Sequence, residues 1–404
     1  MRILIAYRYF EPDTPPYASM LGELTTWFAE AGHEVEMITA QPSYKPSANI
    51  AKQPWRERRG NLTIRRLALL PEKGMGLAKV INSALFILRA YFIILFGKKR
   101  DLIWTATMPP VIQALFLSSA AKMRGAEFLY HMQDLHPEIS NISDGKITQT
   151  KIFKILHKLD IRALNRTTKA IVISPDMADV LKDRGAKPEE IKVIRNFALG
   201  DERAQEFLSA KDKTRTGPMR FVFAGNIGLY QNLGSLVDAF AKLNPEDVQL
   251  VIVGEGRAKA GLIDQVEKQN IANVEFHDHM STEAVFEFLC HQDVGVVCLS
   301  PGLYKYAFPS KIWTYIAADL PMLGLVEDDS NLKSFLDEHQ LGMSLPWESS
   351  PDQLAKTISK LSQDVRQDVY NPAAKYELYH RDAARQHWLE LMEEVGLKRG
   401  ISLS

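Results

Sequence analysis

The sequence predicts an α/β protein made of two similar halves, each a parallel sheet wound with helices. Three observations carry that expectation. Short apolar runs alternate with segments of helical period along the chain, the pattern of repeated βα units. The series stops near Asn196, gives way to a charged stretch poor in strand formers, and restarts at Arg220. At 404 residues, 46% hydrophobic and 24% charged, the chain can bury a large core but exceeds the usual size of one domain.

The opening Met1-Arg-Ile-Leu-Ile-Ala6 carries one charge and no small-residue cleavage site, so it reads as a first β-strand and not as a secretory leader. Further strands are expected at Val35–Thr39, Leu62–Arg66, Leu102–Ala106, Glu127–His131 and Ala170–Ile173, the series ending near Glu190–Asn196. Helices follow most of them, for example at Met20–Ala31, Pro110–Arg124 and Asp176–Arg184. Gly200 to Pro218 reads as a linker. Beyond it, strands are expected at Arg220–Ala224, Gln249–Val253, Val274–Phe276, Val294–Leu299 and Met322–Leu325. Their helices are Leu233–Leu243, Lys259–Gln269, Thr282–Cys290, Ser310–Ala318 and Pro351–Leu361. A last helix, roughly Tyr379 to Val395, lines up Ala384, Trp388, Leu391 and Val395 on one face. This divides the chain into domains 1–198 and 199–404. In open α/β sheets ligands sit beyond the carboxyl ends of the strands, so two such domains are expected to face a cleft.

Val80 to Phe96 invites a membrane reading. Asn82, Ser83 and Arg89 interrupt it, and the apolar run after Arg89 is too short to span a bilayer. It is expected either as a buried helix or as one lying on the membrane surface, with Gly97-Lys-Lys-Arg100 at the headgroups.

Composition and missing motifs exclude several functions. Lys plus Arg number 49 and so do Asp plus Glu, without the basic surplus of a dedicated nucleic-acid binder. Cys290 and Cys298, in apolar surroundings, offer no disulfide framework or ligand cluster and read as buried thiols of a reducing compartment. No Gly-x-x-x-x-Gly-Lys-Ser/Thr loop and no His-Glu-x-x-His occurs, and His277 and His279 alone make a poor metal site. No two aspartates stand two apart, so the usual carboxylate pair that holds a divalent cation on a diphosphate is missing.

Several loops carry chemistry. Ala224-Gly-Asn-Ile-Gly228 follows a strand, and its glycines let backbone approach an anion. Gly254-Glu255-Gly256-Arg257 repeats the arrangement after the next strand and adds a cation. A glycine after a strand is ordinarily a tight turn, but two such loops in succession share one sheet edge. Pro309-Ser310-Lys311 opens a helix, where a hydroxyl and an ammonium would clamp a diphosphate unless Lys311 is simply solvated. Tyr130-His-Met-Gln133-Asp134-Leu-His-Pro-Glu138 ends a strand with clustered polar groups. Asp134 reads either as a site carboxylate or as a helix cap or ion-pair partner.

Taken in order, these loops resemble the retaining GT-B glycosyltransferases of family 4, bacterial surface-polysaccharide type. The resemblance covers nearly the whole chain. Its other marks are Tyr9-Phe10-Glu11-Pro12, Gly32-His33-Glu34-Val35, Asp134-Leu-His-Pro-Glu138 against the family's Asp-Leu-Trp-Pro-Glu, and Val193-Ile-Arg-Asn196-Phe197. It implies two Rossmann-like domains, a nucleotide-sugar donor held mainly by the second, and a final helix (about 378–404) that packs back on the first. It implies no metal and no resident cofactor.

The resemblance makes Asp134 and Lys311 the catalytic candidates. On the donor side stand Gly225, Asn226, Gly228, Gln231, Gly254, Glu255, Gly256, Arg257, Pro309, Ser310 and Thr314. On the acceptor side stand Tyr17, Gln133 and Glu138. The chain also departs from the family. Tyr306 and Thr314 occupy the places of two frequent glutamates, and Asn226 and Gln231 replace an Arg and a Lys. Gln133 replaces a His, and Pro15, Pro16 and Tyr17 replace first-loop glycines.

The expected activity is transfer of a sugar from a nucleoside diphosphate to an acceptor hydroxyl, lipid-linked or of a polysaccharide precursor. The expected place is the cytoplasm, peripheral to the inner face of its membrane. Two other readings stay open: a sugar-nucleotide epimerase of the same fold, and a weakly catalytic sugar- or lipid-binding partner in polysaccharide assembly.

Overall fold

The computed structural model describes residues 1–13, 16–43, 51–70, 76–143, 146–147, 150–201, 203–209, 217–228 and 231–400. Pro15 of the first loop and residues 210–216 of the expected linker lie outside the described residues. The chain forms two compact units. One holds residues 1–143 and 147–195 with the chain from Ala384 onward, and the other is built on Asn196–Ala383.

In chain order the first unit contains β1 (Arg2–Ala6), α1 (Pro16–Glu30), β2 (Glu34–Ala40), β3 (Arg56–Arg59), β4 (Leu62–Leu67) and α2 (Gly76–Phe96). There follow β5 (Leu102–Ala106), α3 (Ile112–Arg124), β6 (Glu127–Met132), the short β7 (Ile142–Ser143) and β8 (Lys146–Ile147), and α4 (Lys151–Leu164). β9 (Lys169–Val172), α5 (Pro175–Asp183) and β10 (Glu190–Val193) complete the series. The sheet order is β10-β9-β6-β5-β1-β2-β4-β3. Adjacent strands pair in parallel, except that β3 runs antiparallel to β4 at the edge. Every residue of β5 and β9 is buried, which is why such strands read as unbroken apolar runs.

The second unit contains α6 (Ala204–Ser209), β11 (Met219–Ala224), α7 (Leu233–Phe240), β12 (Val248–Val253), α8 (Lys259–Lys268), β13 (Val274–His277) and α9 (Thr282–Cys290). β14 (Val294–Cys298), α10 (Lys311–Ala317), β15 (Met322–Leu325), α11 (Asn331–Glu338), β16 (Gly342–Leu345), α12 (Pro351–Arg366) and α13 (Ala373–Tyr379) follow. Its all-parallel order, β13-β12-β11-β14-β15-β16, is the 3-2-1-4-5-6 order of a Rossmann sheet. The winding reverses between β11 and β14, so their carboxyl ends frame the place where such sheets take a ligand.

Local chemistry sets the helix starts. Ser174, Ser281 and Ser330 accept from the backbone N–H three residues on, satisfying an orphan donor. Ser350 and Gln353 form a reciprocal capping box ahead of Pro351. The expected linker contains a helix, α6, because Phe207 packs on Phe286 of α9 with ring centroids 6.4 Å apart.

The last helix, α14 (Arg381–Lys398), closes the chain on the first unit. Trp388 stacks on Trp104 of β5 at 5.1 Å, and Glu394 takes Lys169 Nζ at 2.9 Å. α2 is buried along one side only, through Phe86, Ile87, Ala90 and Ile94. By length and composition alone Leu77–Phe96 could cross a membrane.

Candidate active site

The second unit builds its site where β11 and β14 part. Tyr315 of α10 sits between them: its hydroxyl accepts from the Ala224 N–H at 3.1 Å and lies 3.2 Å from the Val222 carbonyl and 3.3 Å from that of Val296. A side chain at Gly295 would strike the Tyr315 ring at 2.5 Å, so that glycine makes room for it. Tyr315 was not singled out from sequence, although a glycine inside a buried strand marks close approach. One turn before it stands Lys311, so the Tyr315 anchor also fixes where Lys311 points.

Lys311 Nζ lies 3.5 Å from the centroid of the Phe223 ring. A Cβ built on Gly225 would stand 3.6 Å from the same nitrogen. Among the described residues no carboxylate pairs with it. Burial lowers its pKa to about 8, and the neighbouring Cys298 thiol, itself pushed up to about 12 by burial, only partly opposes this. The aromatic face returns part of the lost solvation. A desolvated ammonium without a counter-ion is a site for an anion.

The glycine loops share that edge, with an additional reason for their composition. Gly225 N–H donates to the Val253 carbonyl at 2.9 Å, and Ile227 N–H to that of Glu255 at 2.8 Å. A Cβ on Gly254 would fall 2.0 Å from the Gly225 carbonyl oxygen, and one on Gly256 2.1 Å from that of Ile227. Gly254 and Gly256 therefore allow one loop to lie on the other. Gln231 closes the first loop by accepting from the Gly228 N–H at 2.9 Å. Gly225, Asn226 and Arg257 are exposed beside it. Glu255 is taken by Lys259 at 2.8 Å. Pro309 lies before α10; Ser310 is its N-cap residue without a side-chain cap bond, and Thr314 is half-buried. Tyr306 is half-buried in the same connection.

In the first unit the predicted residues divide into two groups. Gln133 and Asp134 follow β6 directly, and both are half-buried. Gln133 Nε2 lies 2.8 Å from His131 Nε2, and His131 Nδ1 lies 2.9 Å from the Tyr17 hydroxyl. His131 is buried between Trp104 and Trp388, and burial holds it neutral down to about pH 3. With the Gln133 amide nitrogen donating, Nε2 accepts and Nδ1–H donates to Tyr17. The Asp134 carboxylate makes no hydrogen bond or ion pair among the described residues, and burial raises its pKa to about 6.

Tyr17 and Glu138 are buried more deeply than Gln133 and Asp134. Tyr17 is buried, its ring edge-on to Tyr7 at 4.9 Å, and it supports His131 from within. Glu138 is buried against Arg184, with His157 at 3.6 Å, and Arg184 also reaches Asp160 at 2.7 Å. That cluster ties α4 to α5. Its side chain was read from sequence as acceptor-facing, but it is committed to an internal ion pair.

Two domain descriptions match the chain, "Glycosyl transferase 4-like domain" over residues 17–196 and "Glycosyl transferases group 1" over 204–376. The chain belongs to the GT-B glycosyltransferases of the family 4 type. The first match holds Tyr17, Gln133, Asp134 and Glu138; the second holds every donor-side candidate. The chain is 24% identical over 333 residues to the putative colanic acid biosynthesis glycosyl transferase WcaI of Escherichia coli, covering 78% of this chain and 81% of that protein. In structure it matches a sucrose-phosphate synthase from Thermosynechococcus elongatus with TM-score 0.73 at 16% identity, over 98% of this chain and 100% of the other. Anabaena HepE, solved in complex with UDP, matches with TM-score 0.66 at 13% identity, over 98% and 100%. These structural likenesses establish the GT-B fold.

Proposed function

We propose that this glycosyltransferase moves a sugar from a nucleoside-diphosphate sugar to a hydroxyl of a carbohydrate or lipid-linked acceptor in surface-polysaccharide assembly, retaining the anomeric configuration. The observation that carries the reading is Lys311, a desolvated ammonium with no counter-ion among the described residues, at the switch point of a Rossmann sheet. The similarity to WcaI supports the polysaccharide context, and the likeness to HepE, which was solved with UDP, supports a nucleotide donor.

The hard step is departure of the diphosphate. The bond from the anomeric carbon to the phosphate oxygen breaks, its electron pair leaving with the diphosphate while positive character builds on the sugar. Lys311 and Arg257 stabilise the departing charge, an electrostatic task that needs no proton transfer from either. The acceptor oxygen bonds to the anomeric carbon from the same face, and its proton passes to the leaving phosphate oxygen. Asp134, ionised above about pH 6 and tied to no cation among the described residues, orients the acceptor or stabilises the oxocarbenium-like centre. Thr314 offers the donor a hydroxyl where relatives often carry a carboxylate. The reaction requires no divalent cation, a reading that rests on the missing aspartate pair and on two basic side chains near the expected diphosphate. Rates should survive dialysis against a strong chelator. Location in the cytoplasm, where the two buried thiols stay reduced, completes the reading.

The test is binding. Nucleoside diphosphates and their sugars should stabilise the wild type against heat. Lys311→Ala should weaken that affinity roughly tenfold to a hundredfold, since a charge-assisted contact is worth about 1.5–3 kcal/mol. Unchanged affinity in a folded Lys311→Ala protein would remove the donor from this site.

A further inference from the structure

α2 leaves an apolar face uncovered. Leu77, Val80, Ile81, Leu88, Phe92 and Phe96 are exposed, Leu77 by 69% and Phe96 by 76%. At 100° per residue they fall on one stripe, opposite the buried Phe86, Ile87, Ala90 and Ile94. The stripe is about 30 Å long at 1.5 Å per residue. Met123 of α3, 63% exposed, adjoins it through the Tyr91 hydroxyl at 3.8 Å. A patch of this extent is more than scattered surface hydrophobics.

The inner face keeps the helix on the protein. Asn82 is buried and uses its amide on the Leu70 backbone in both directions, at 2.9 and 2.8 Å. Tyr91 packs edge-on to Phe116 of α3 at 5.7 Å. A helix anchored this way lies along the domain and does not cross a bilayer.

Charge identifies the occupant. Lys98 and Lys99, just past the carboxyl end of α2, are exposed and make no ion pair among the described residues. α4, also packed on α3, exposes Ile152 and Ile155 among Lys151, Lys154 and Lys158. Arg100, the third member of the basic run seen in the sequence, is committed to Glu36 and adds nothing to this rim. The chain as a whole is neutral, so the cations are a local feature.

We propose that the exposed face of α2 docks on an anionic lipid bilayer, its apolar stripe at the acyl boundary and Lys98 and Lys99 at the headgroups. This deepens the functional reading above by naming where a lipid-linked acceptor is met, and it rests on that reading only for its purpose.

Co-sedimentation with phosphatidylglycerol–phosphatidylcholine vesicles tests it. The wild type should bind, release at high salt, and bind pure phosphatidylcholine much less. Lys98→Glu with Lys99→Glu should weaken binding by roughly thirtyfold or more, at about fivefold per cation removed. Phe92→Glu should abolish it, while hydrogen exchange in residues 77–96 of the unaltered protein should slow when anionic vesicles are added. Donor affinity should be unchanged in every variant, which separates this face from the donor site. A wild type that binds donor but ignores anionic vesicles overturns the docking and leaves the transferase reading standing. A lipid-free dimer broken by Phe92→Glu, with no vesicle binding, assigns the face to a second copy and also overturns it.

Discussion

Raising the pH past 8 should disarm the donor site. On the proposed function Lys311 would bind a diphosphate only as an ammonium, and burial has lowered its pKa from 10.5 to about 8. A bound diphosphate restores the charged form, so above pH 8 the lysine must take up a proton when the donor arrives. The apparent Kd then scales as one plus ten raised to the difference between pH and 8. Between pH 7 and pH 9 it should rise about tenfold. A nucleotide sugar has no ionisable group of its own on its diphosphate in that window, so calorimetry reads Lys311 directly. Lys311→Arg keeps the charge at pH 9 and should flatten the profile. The same shift costs stability while the lysine is charged: fully below pH 8, fading as pH rises toward 10.5. Lys311→Met should therefore stabilise the free protein at pH 7 by about 1–3 kcal/mol while losing the donor. A donor Kd that is flat from pH 7 to 9, or a Lys311→Met protein that melts lower, refutes the assignment of an unpaired, desolvated ammonium.

Other expectations follow from the same geometry. Asp134→Asn should lower turnover far more than donor affinity, and the wild-type rate should fall about tenfold from pH 7 to 5 as the carboxylate, with its pKa raised to about 6, takes up a proton. Equal losses in turnover and donor affinity would move Asp134 into the donor site. Gly254→Ala places a Cβ 2.0 Å from the Gly225 carbonyl and should cost about 2 kcal/mol or more, with a large loss of donor affinity. An unaltered melting temperature there would mean that the two loops do not depend on each other. Trp388→Ala empties the stack on Trp104 and should cost about 3–5 kcal/mol, read by denaturant unfolding.

Most of the fold is legible in the residues because parallel strands are buried on both faces and so stand out as apolar runs. Val294–Cys298 and Leu102–Ala106 are such strands. The elements that escape lack that signal. β3 is Arg-Glu-Arg-Arg, an edge strand held by backbone bonds to β4, where charge protects the open edge. α6, six residues long, is too short to be told from a linker. Among the candidate residues, the glycine loops show in sequence because they directly follow strands, and Lys311 because Pro309 marks the helix start it stands in. Tyr315 and His131 do not, since each acts from the interior on a residue that does show. Glu138 misled for a related reason: its motif is on the page, but Arg184, its partner, lies 46 residues away and only folding brings them together.

The measurement that bears most directly on the central claim is the fate of the donor's anomeric carbon. With the nucleotide sugar that most stabilises the protein and an acceptor, product analysis by NMR should show transfer to the acceptor hydroxyl. The donor's anomeric configuration should be kept, with one nucleoside diphosphate released per sugar and no loss of rate on chelation. An inverted product, an epimerised sugar nucleotide with no diphosphate released, or a wild-type rate that Lys311→Ala leaves unchanged would contradict it.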